Sequence, residues 1–190
     1  MERIDDRIFF EEKVTGLLDQ LYGAALRLAK NREDAEDLVA EAVAKAWAAR
    51  RALRNPEKFR SWIFRILTNT FISDWRKQAV RAQTETFVEP PSDAETTFSL
   101  FEELHQPFLL WWGNPEKDLL NKLLSKDIER AVDTLPEAFR MVIVLSDMEG
   151  FSYQEISGIL KVPVGTIRSR LARGRGLLQK AYGNMPKTPD

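Results

Sequence analysis

Residues 150–180, GFSYQEISGILKVPVGTIRSRLARGRGLLQK, read as two short helices joined by a tight turn, the second of them basic. Phe151 precedes Ser152-Tyr153-Gln154-Glu155, which fits the S-x-x-E capping box, so a helix is expected to start at Ser152. Ile156 and Leu160 are four apart and share a face of it. Pro163 cannot sit inside a helix, so the first helix ends by Val162 or a little before. A second helix resumes near 164–166, with Ile167 and Leu171 again four apart. Helix, short turn and second helix make a helix-turn-helix.

Drawn at about 100° per residue, the second helix gathers Ile167, Leu171 and Leu178 on one face, with Val164 at its edge. The opposite face carries only small residues: Gly165, Ser169, Ala172 and Gly176. Arg168 and Arg175 flank it on one side, Arg170 and Arg173 on the other. Small outward residues let a helix approach base edges in a major groove, and flanking arginines reach phosphates or purine edges. Between 161 and 180 there are six positive side chains and no acidic one. A solvated basic face would explain the charge but not the small outward stripe. The pattern therefore points to DNA through Arg168, Ser169, Arg170, Ala172, Arg173 and Arg175.

The whole chain has 190 residues and a net charge of −1, so attraction to nucleic acid must come from local segregation of charge. It has no Cys, which excludes disulfides and thiolate metal sites and fits a reducing compartment. No apolar run is long enough to span a membrane, and the charged first dozen residues do not form a secretory signal. A cytoplasmic location without membrane insertion is expected.

Towards the N-terminus, 9–29 carries an apolar stripe through Leu17, Leu21, Ala25 and Leu28 and predicts a helix. Asn31 is placed to cap the next helix, which begins acidic, ends basic and runs to about Leu53. Leu38, Ala42, Val43, Ala46 and Trp47 form its expected buried face. Ordinary helix electrostatics account for its charges; a docking surface for a basic partner is the sharper alternative. Asn55-Pro56 marks a break, and 57–82 predicts a third helix with Phe59, Trp62, Ile63, Ile66, Leu67, Thr70 and Phe71 inward. Its tryptophans interleave with Arg60, Arg65, Arg76, Lys77 and Arg81, a mixture suited to stacking and neutralising single-stranded nucleic acid. Core packing is the alternative for Trp62. Thr68-Asn69-Thr70 is polar in mid-helix, which implies a kink or a functional polar face.

Composition changes at Ala82. Residues 82–114 contain no Lys or Arg, and Pro90-Pro91-Ser92-Asp93 reads as linker. The stretch Phe98–Trp112 is too apolar for a free linker and is expected to dock on the chain or on a partner. His105, the one histidine, has no second His or Cys for a metal, so neither metal nor cofactor is expected. Further helices are predicted at about 115–134 and 136–148, before the helix-turn-helix, and the end past Gly183 should fray. The fold class is all-α: two small helical domains, 1–82 and 115–183, joined by an acidic-apolar linker over 83–114, the C-terminal one containing the helix-turn-helix.

Three blocks carry a family resemblance in the N-terminal half: Arg32–Trp47 (REDAEDLVAEAVAKAW), Phe59–Asn69 (FRSWIFRILTN) and Asp74–Lys77 (DWRK). Three more follow in the C-terminal half: Leu135–Arg140 (LPEAFR), Gly150–Ile156 (GFSYQEI) and Val162–Leu171 (VPVGTIRSRL). The first set resembles the second conserved region, and the later set the fourth, of bacterial RNA polymerase sigma factors of the extracytoplasmic-function (ECF) type. The resemblance implies that the 34–47 helix docks on polymerase clamp helices through Asp34, Asp37, Leu38 and Glu41. It implies that 59–77 melts and reads the minus-ten promoter element on the single strand, with Trp62, Arg65, Asn69, Arg76 and Lys77 at the DNA and Asn69 at the captured, flipped base. Arg168, Ser169 and Arg173 match positions that contact the minus-thirty-five element, with Ala172 beside them. Core RNA polymerase, promoter DNA and an anti-sigma factor are the implied partners of a chain that is monomeric when free. No catalysis is implied: there is no Cys, one His and no glycine-rich phosphate loop. A stand-alone helix-turn-helix regulator would leave 34–77 without a role, and a protein-only adaptor would not need Arg168 and Arg173.

Overall fold

The computed structural model describes residues 2–82 and 128–183. The expected docking of Phe98–Trp112 and the expected helix start at 115 lie outside the described residues. Every regular element among the described residues is helical. Helix α1 is Glu2–Ala29 and starts earlier than the apolar pattern reveals. Its first turns lie ahead of the Leu17–Leu28 stripe, and Arg7 and Glu11 pair at i,i+4 (2.7 Å) on its solvent face. Lys30, at φ 66°, turns the chain through the left-handed region, and Asn31 caps α2 (Arg32–Ala49) by accepting the Asp34 amide at 2.8 Å.

On α2 the buried stripe is Ala35, Leu38, Val39, Ala42 and Ala46, all small or medium, which lets α1 and α3 approach closely. Trp47, expected on that face, is instead 37% exposed. It lies one residue, about 100°, past Ala46, so its indole sits at the rim, with Arg50 stacked on it at 3.9 Å and Phe10 edge-on at 5.2 Å. Leu38, expected at a partner surface, is buried among its own helices, because the stripe that packs α2 leaves no room for it outside. A 3-10 turn at Pro56–Lys58, capped by Asn55, leads into α3 (Phe59–Ala82). Phe59, Ile63, Leu67 and Thr70 are buried as expected; Trp62, Ile66 and Phe71 are half-buried, and Phe64 is fully buried.

In the C-terminal half, described residues 128–133 are helical (α4), and Pro136 opens α5 (Glu137–Ile143). The expected helix to Met148 is there, but its last turn, Val144–Met148, widens to π geometry, with the Glu149 amide reaching back to the Val144 carbonyl at 2.9 Å. Gly150, at φ 69°, then reverses the chain, and the Phe151 amide bonds the Leu145 carbonyl at 2.9 Å, an ending that a side chain at 150 would strain. Helix α6 (Tyr153–Leu160) has the full capping box: the Ser152 amide donates to Glu155 Oε2 at 2.9 Å and the Glu155 amide to Ser152 Oγ at 3.3 Å. Its buried pair is Ile156 and Ile159, with Leu160 only half-covered, since α6 is gripped from two sides, by α7 and by α3. Lys161 ends it at φ 59°, and α7 is Val164–Gly183. Ile167 and Leu171 anchor α7, and Gly174 brings it close to α5: a Cβ there would lie 3.2 Å from Ile143 Cγ1 and 3.3 Å from Phe139 Cβ.

The two halves pack together. Helix α3 lies on α6, and α1 touches α5 and the π turn, so one apolar core runs through both. Phe64 of α3 meets Phe151 edge-on at 5.0 Å, which explains why Phe64, off the stripe that packs α3 on α1 and α2, is buried. The position of α5 between α7 and α1 explains why it is buried nearly all round, Arg140 included.

Candidate nucleic-acid and polymerase interfaces

On α3, Trp62, Arg65, Asn69 and Arg76 fall within a sector of about 60°. Trp62 and Arg65 are half-buried, Asn69 and Arg76 exposed, and exposed Ser73 lies in the same row. The helix runs through the polar trio without a break. Thr68 and Thr70 turn inward and are satisfied locally. Thr68 Oγ1 donates to the Phe64 carbonyl at 2.9 Å, and Thr70 Oγ1 accepts from Lys45 Nζ at 3.2 Å. Asn69 alone of the three faces out, with an amide able to donate and accept. The row thus offers a ring edge, two guanidinium groups and an amide, the groups that stack on, neutralise and read an unpaired strand. Trp62 also packs on Phe59 with centroids 5.6 Å apart, so it is part core and part surface. Lys77 stands about 80° round from Asn69 and is held by Asp74 at 3.0 Å, so it is at the edge of this row.

Helix α7 presents Gly165, Ser169, Ala172 and Gly176 to solvent, with Arg168 exposed and Arg173 half-exposed on the two flanks. Arg170 is further round and half-buried. Arg175, expected at the DNA, is instead committed inside the fold. Its Nη2 and Nε donate to the two carboxylate oxygens of Asp147 at 2.7 and 3.1 Å, and this bidentate pairing raises its pKa further. The wheel placed Arg175 on the flank correctly; it could not show that the π turn delivers a carboxylate to that flank.

On α2, Asp34, Asp37 and Glu41 lie in one exposed row. The Asp34 carboxylate accepts from Asn31 Nδ2 at 2.6 Å, and Glu41 pairs with Lys45 at 2.7 Å. Lys45 therefore bridges the acidic row to Thr70, next to Asn69, an arrangement without a local sequence signal because the partners are 25 residues apart. A second such group joins the halves: Arg60 Nη2 donates to the Glu149 carbonyl at 2.6 Å and approaches its carboxylate at 3.4 Å. The Arg60 guanidinium lies 4.1 Å from the Phe151 ring centroid, and its Nε donates to Gln20 at 3.1 Å. A visible hint is that Arg60 and Phe64 share a face of α3 that the core stripe does not claim.

Family models agree with the two groups of motifs: Sigma-70 region 2 matches residues 14–81, and Sigma-70, region 4 matches 125–178. The ECF RNA polymerase sigma-E factor of Escherichia coli K12 is 35% identical over 142 residues, covering 75% of this chain and 70% of the relative. The chain belongs to the ECF sigma factors. ECF RNA polymerase sigma factor SigE of Mycolicibacterium smegmatis is 34% identical over 175 residues, 90% of this sigma factor but 60% of the relative's length. Among solved structures, sigma factor RpoE of Bartonella quintana, in complex with the anti-sigma factor NepR, aligns at TM-score 0.66 with 26% identity, covering 93% of this chain and 98% of that one. CnrH, in complex with the cytosolic domain of CnrY, shares the fold at TM-score 0.61 and 21% identity, with coverage of 93% and 89%. Among the described residues of this sigma factor, no helix is long and apolar enough to cross a membrane.

Proposed function

We propose that this chain recruits core RNA polymerase to particular promoters and helps open the DNA, acting by binding rather than by bond chemistry. The reading is supported above all by one observation: a single chain carries a polar, basic row around exposed Asn69 on α3 and a stripe of small residues flanked by Arg168 and Arg173 on α7. Asn69, flanked by Trp62, Arg65 and Arg76, takes the melted minus-ten strand, with Lys77 at the margin. Arg168, Ser169, Ala172 and Arg173 take the minus-thirty-five element, with Arg170 at its edge. Asp34, Asp37 and Glu41 dock on a basic polymerase surface. Residues 1–82 and 115–183 act as the two functional units, with 83–114 between them. An anti-sigma factor is a further partner, in keeping with the complexes in which RpoE and CnrH were solved.

The test is run-off transcription with core polymerase over a promoter library. Stimulation at a subset of promoters is expected, and none on any template overturns the reading. Arg168→Ala should cost about 1–3 kcal/mol in promoter discrimination and relax it upstream. Asn69→Ala should leave duplex binding intact but cut open-complex formation, read by permanganate reactivity of unpaired thymines. Tight duplex binding without polymerase would favour a stand-alone regulator, and full activity of an Arg168→Ala/Arg173→Ala variant would favour a protein-only adaptor.

A further inference from the structure

We infer that Asp147, on the π turn ahead of the helix-turn-helix, is a specificity-determining positioning residue: its bidentate pair with Arg175 fixes the rotation of α7 and withholds that cation from DNA phosphates. The inference rests on the reading of α7 as the upstream promoter contact.

Arg168 and Arg175 are seven residues apart, so they lie within about 20° of each other round α7 and about 10 Å apart along it. By sequence they are two equivalent cations on one flank. Their surroundings make them unequal. Arg168 is exposed, whereas the Arg175 side chain is 28% exposed and its partner Asp147 11%. The Arg175 fork spans both carboxylate oxygens, at 2.7 and 3.1 Å, and the same guanidinium bonds Tyr153, the first residue of α6. One side chain of α7 is thereby tied to the π turn and to α6. Its neighbour Gly174 brings α7 close to Phe139 and Ile143 of α5. Ile167 and Leu171 hold α7 by apolar burial, which has no direction; the planar fork of Arg175 has one.

Rotation matters because side chains that read bases tolerate misplacement of only about 0.5 Å and 10–20°. A helix free to roll would present Arg168, Ser169, Ala172 and Arg173 to the groove in several poses and read it less sharply. Charge matters separately. A phosphate contact strengthens binding to every sequence and carries no sequence information. Drawing Arg175 to a phosphate would leave the Asp147 carboxylate withdrawn from water without its counter-ion, so the pair resists competition from DNA. Asp147 thus acts through Arg175, once as an anchor and once as a charge mask.

The test uses the full chain in complex with core polymerase, with core polymerase alone as baseline. Binding is measured across a salt series on a promoter that the chain activates and on the same DNA with its upstream element scrambled. Asp147→Asn, nearly the same shape, should lower the affinity ratio of intact to scrambled DNA about threefold or more, part of what one base contact is worth. It should also steepen the salt dependence on scrambled DNA by about 1, the mark of one added phosphate contact. Arg175→Gln breaks the same anchor without releasing a cation, so it should lower the ratio alike and leave the salt dependence as in wild type. The double variant should be no worse in ratio than either single one. Asp147→Glu, which keeps the charge, should restore most of the ratio. Circular dichroism checks folding, and Arg175→Gln supplies the ratio if Asp147→Asn does not fold. A wild-type ratio in either folded variant, an unmoved salt dependence in Asp147→Asn, or a shallower one in Arg175→Gln overturns the inference. A wild-type complex that does not distinguish the two DNAs overturns the upstream reading of α7 instead; the salt series on scrambled DNA does not depend on that reading and separates the two failures.

Discussion

At Gly174 a methyl group would be tightly held. A Cβ there would lie 3.2 Å from Ile143 Cγ1 and 3.3 Å from Phe139 Cβ, so both must give by a few tenths of an ångström, and Phe139 Cβ is tied to its own backbone. Gly174→Ala gains helix propensity of about 1 kcal/mol and meets overpacking of about 1–3 kcal/mol. A net loss of thermal stability is expected, measurable by calorimetry. Arg140 poses a different residue problem: its side chain is 2% exposed, with Glu137 at 3.3 Å, the Leu135 carbonyl at 3.4 Å and its Nε without a partner. Burial lowers its pKa against the pull of Glu137 and Asp133. Removing the partner with Glu137→Ala should cost about 2 kcal/mol, whereas Arg140→Met should stay within about 1 kcal/mol of wild type, since an apolar side chain of similar length removes the desolvation cost. Urea unfolding distinguishes them, and equal losses would refute this account. At this scale the sequence was legible where a residue broke its local pattern, as Asn69 does. It was silent where a long-range partner decided, as Asp147 does for Arg175.

Helix α6 was readable almost to the residue because its start and stop signals are chemical and local: the capping box, the left-handed exit at Lys161 and Pro163. Ser152→Ala should cost about 1 kcal/mol. The hydrogen bonds from the Ser152 hydroxyl and amide hold the Glu155 carboxyl below its ordinary pKa. A depressed carboxylate contributes stability that is whole above its unfolded pKa and lost as pH falls through the folded one. The difference in melting temperature between wild type and Glu155→Gln should therefore be constant from neutrality to about pH 5 and shrink below about pH 4.5. A difference that persists in acid would show that Glu155 acts by packing. The π turn after α5 had no such signal: nothing in Val144–Met148 distinguishes it from a weak last helical turn, and its carboxylates find partners only in tertiary structure, Asp147 on α7 and Glu149 on α3. The start of α1 lies beyond the stripe that packs the helix, where Ile8 is exposed and a local charge pair, Arg7–Glu11, replaces core contacts.

In the whole molecule, the all-α class and the order of the helices followed from periodicity and punctuation. The packing of one half on the other did not, because Phe64 and Phe151 are 87 positions apart and each has a local reason to be apolar. A shared core makes the free chain unfold as one unit, so a scanning calorimeter should record a single transition. Two transitions in wild type would mean that the halves are energetically separate. Phe151 has a further consequence. It precedes the Ser152 cap, and with Ile156 it staples the start of α6, while its ring also receives Arg60 and Phe64. One side chain thus serves the entry to the DNA-reading motif and the seam between the halves. Under mutation and selection, position 151 is constrained twice, and 60, 64 and 149 are constrained through it. Lineages that keep the packing of α3 on α6 should change these four positions together, while a lineage that abandons it should let 60 and 149 drift and still retain an apolar residue at 151.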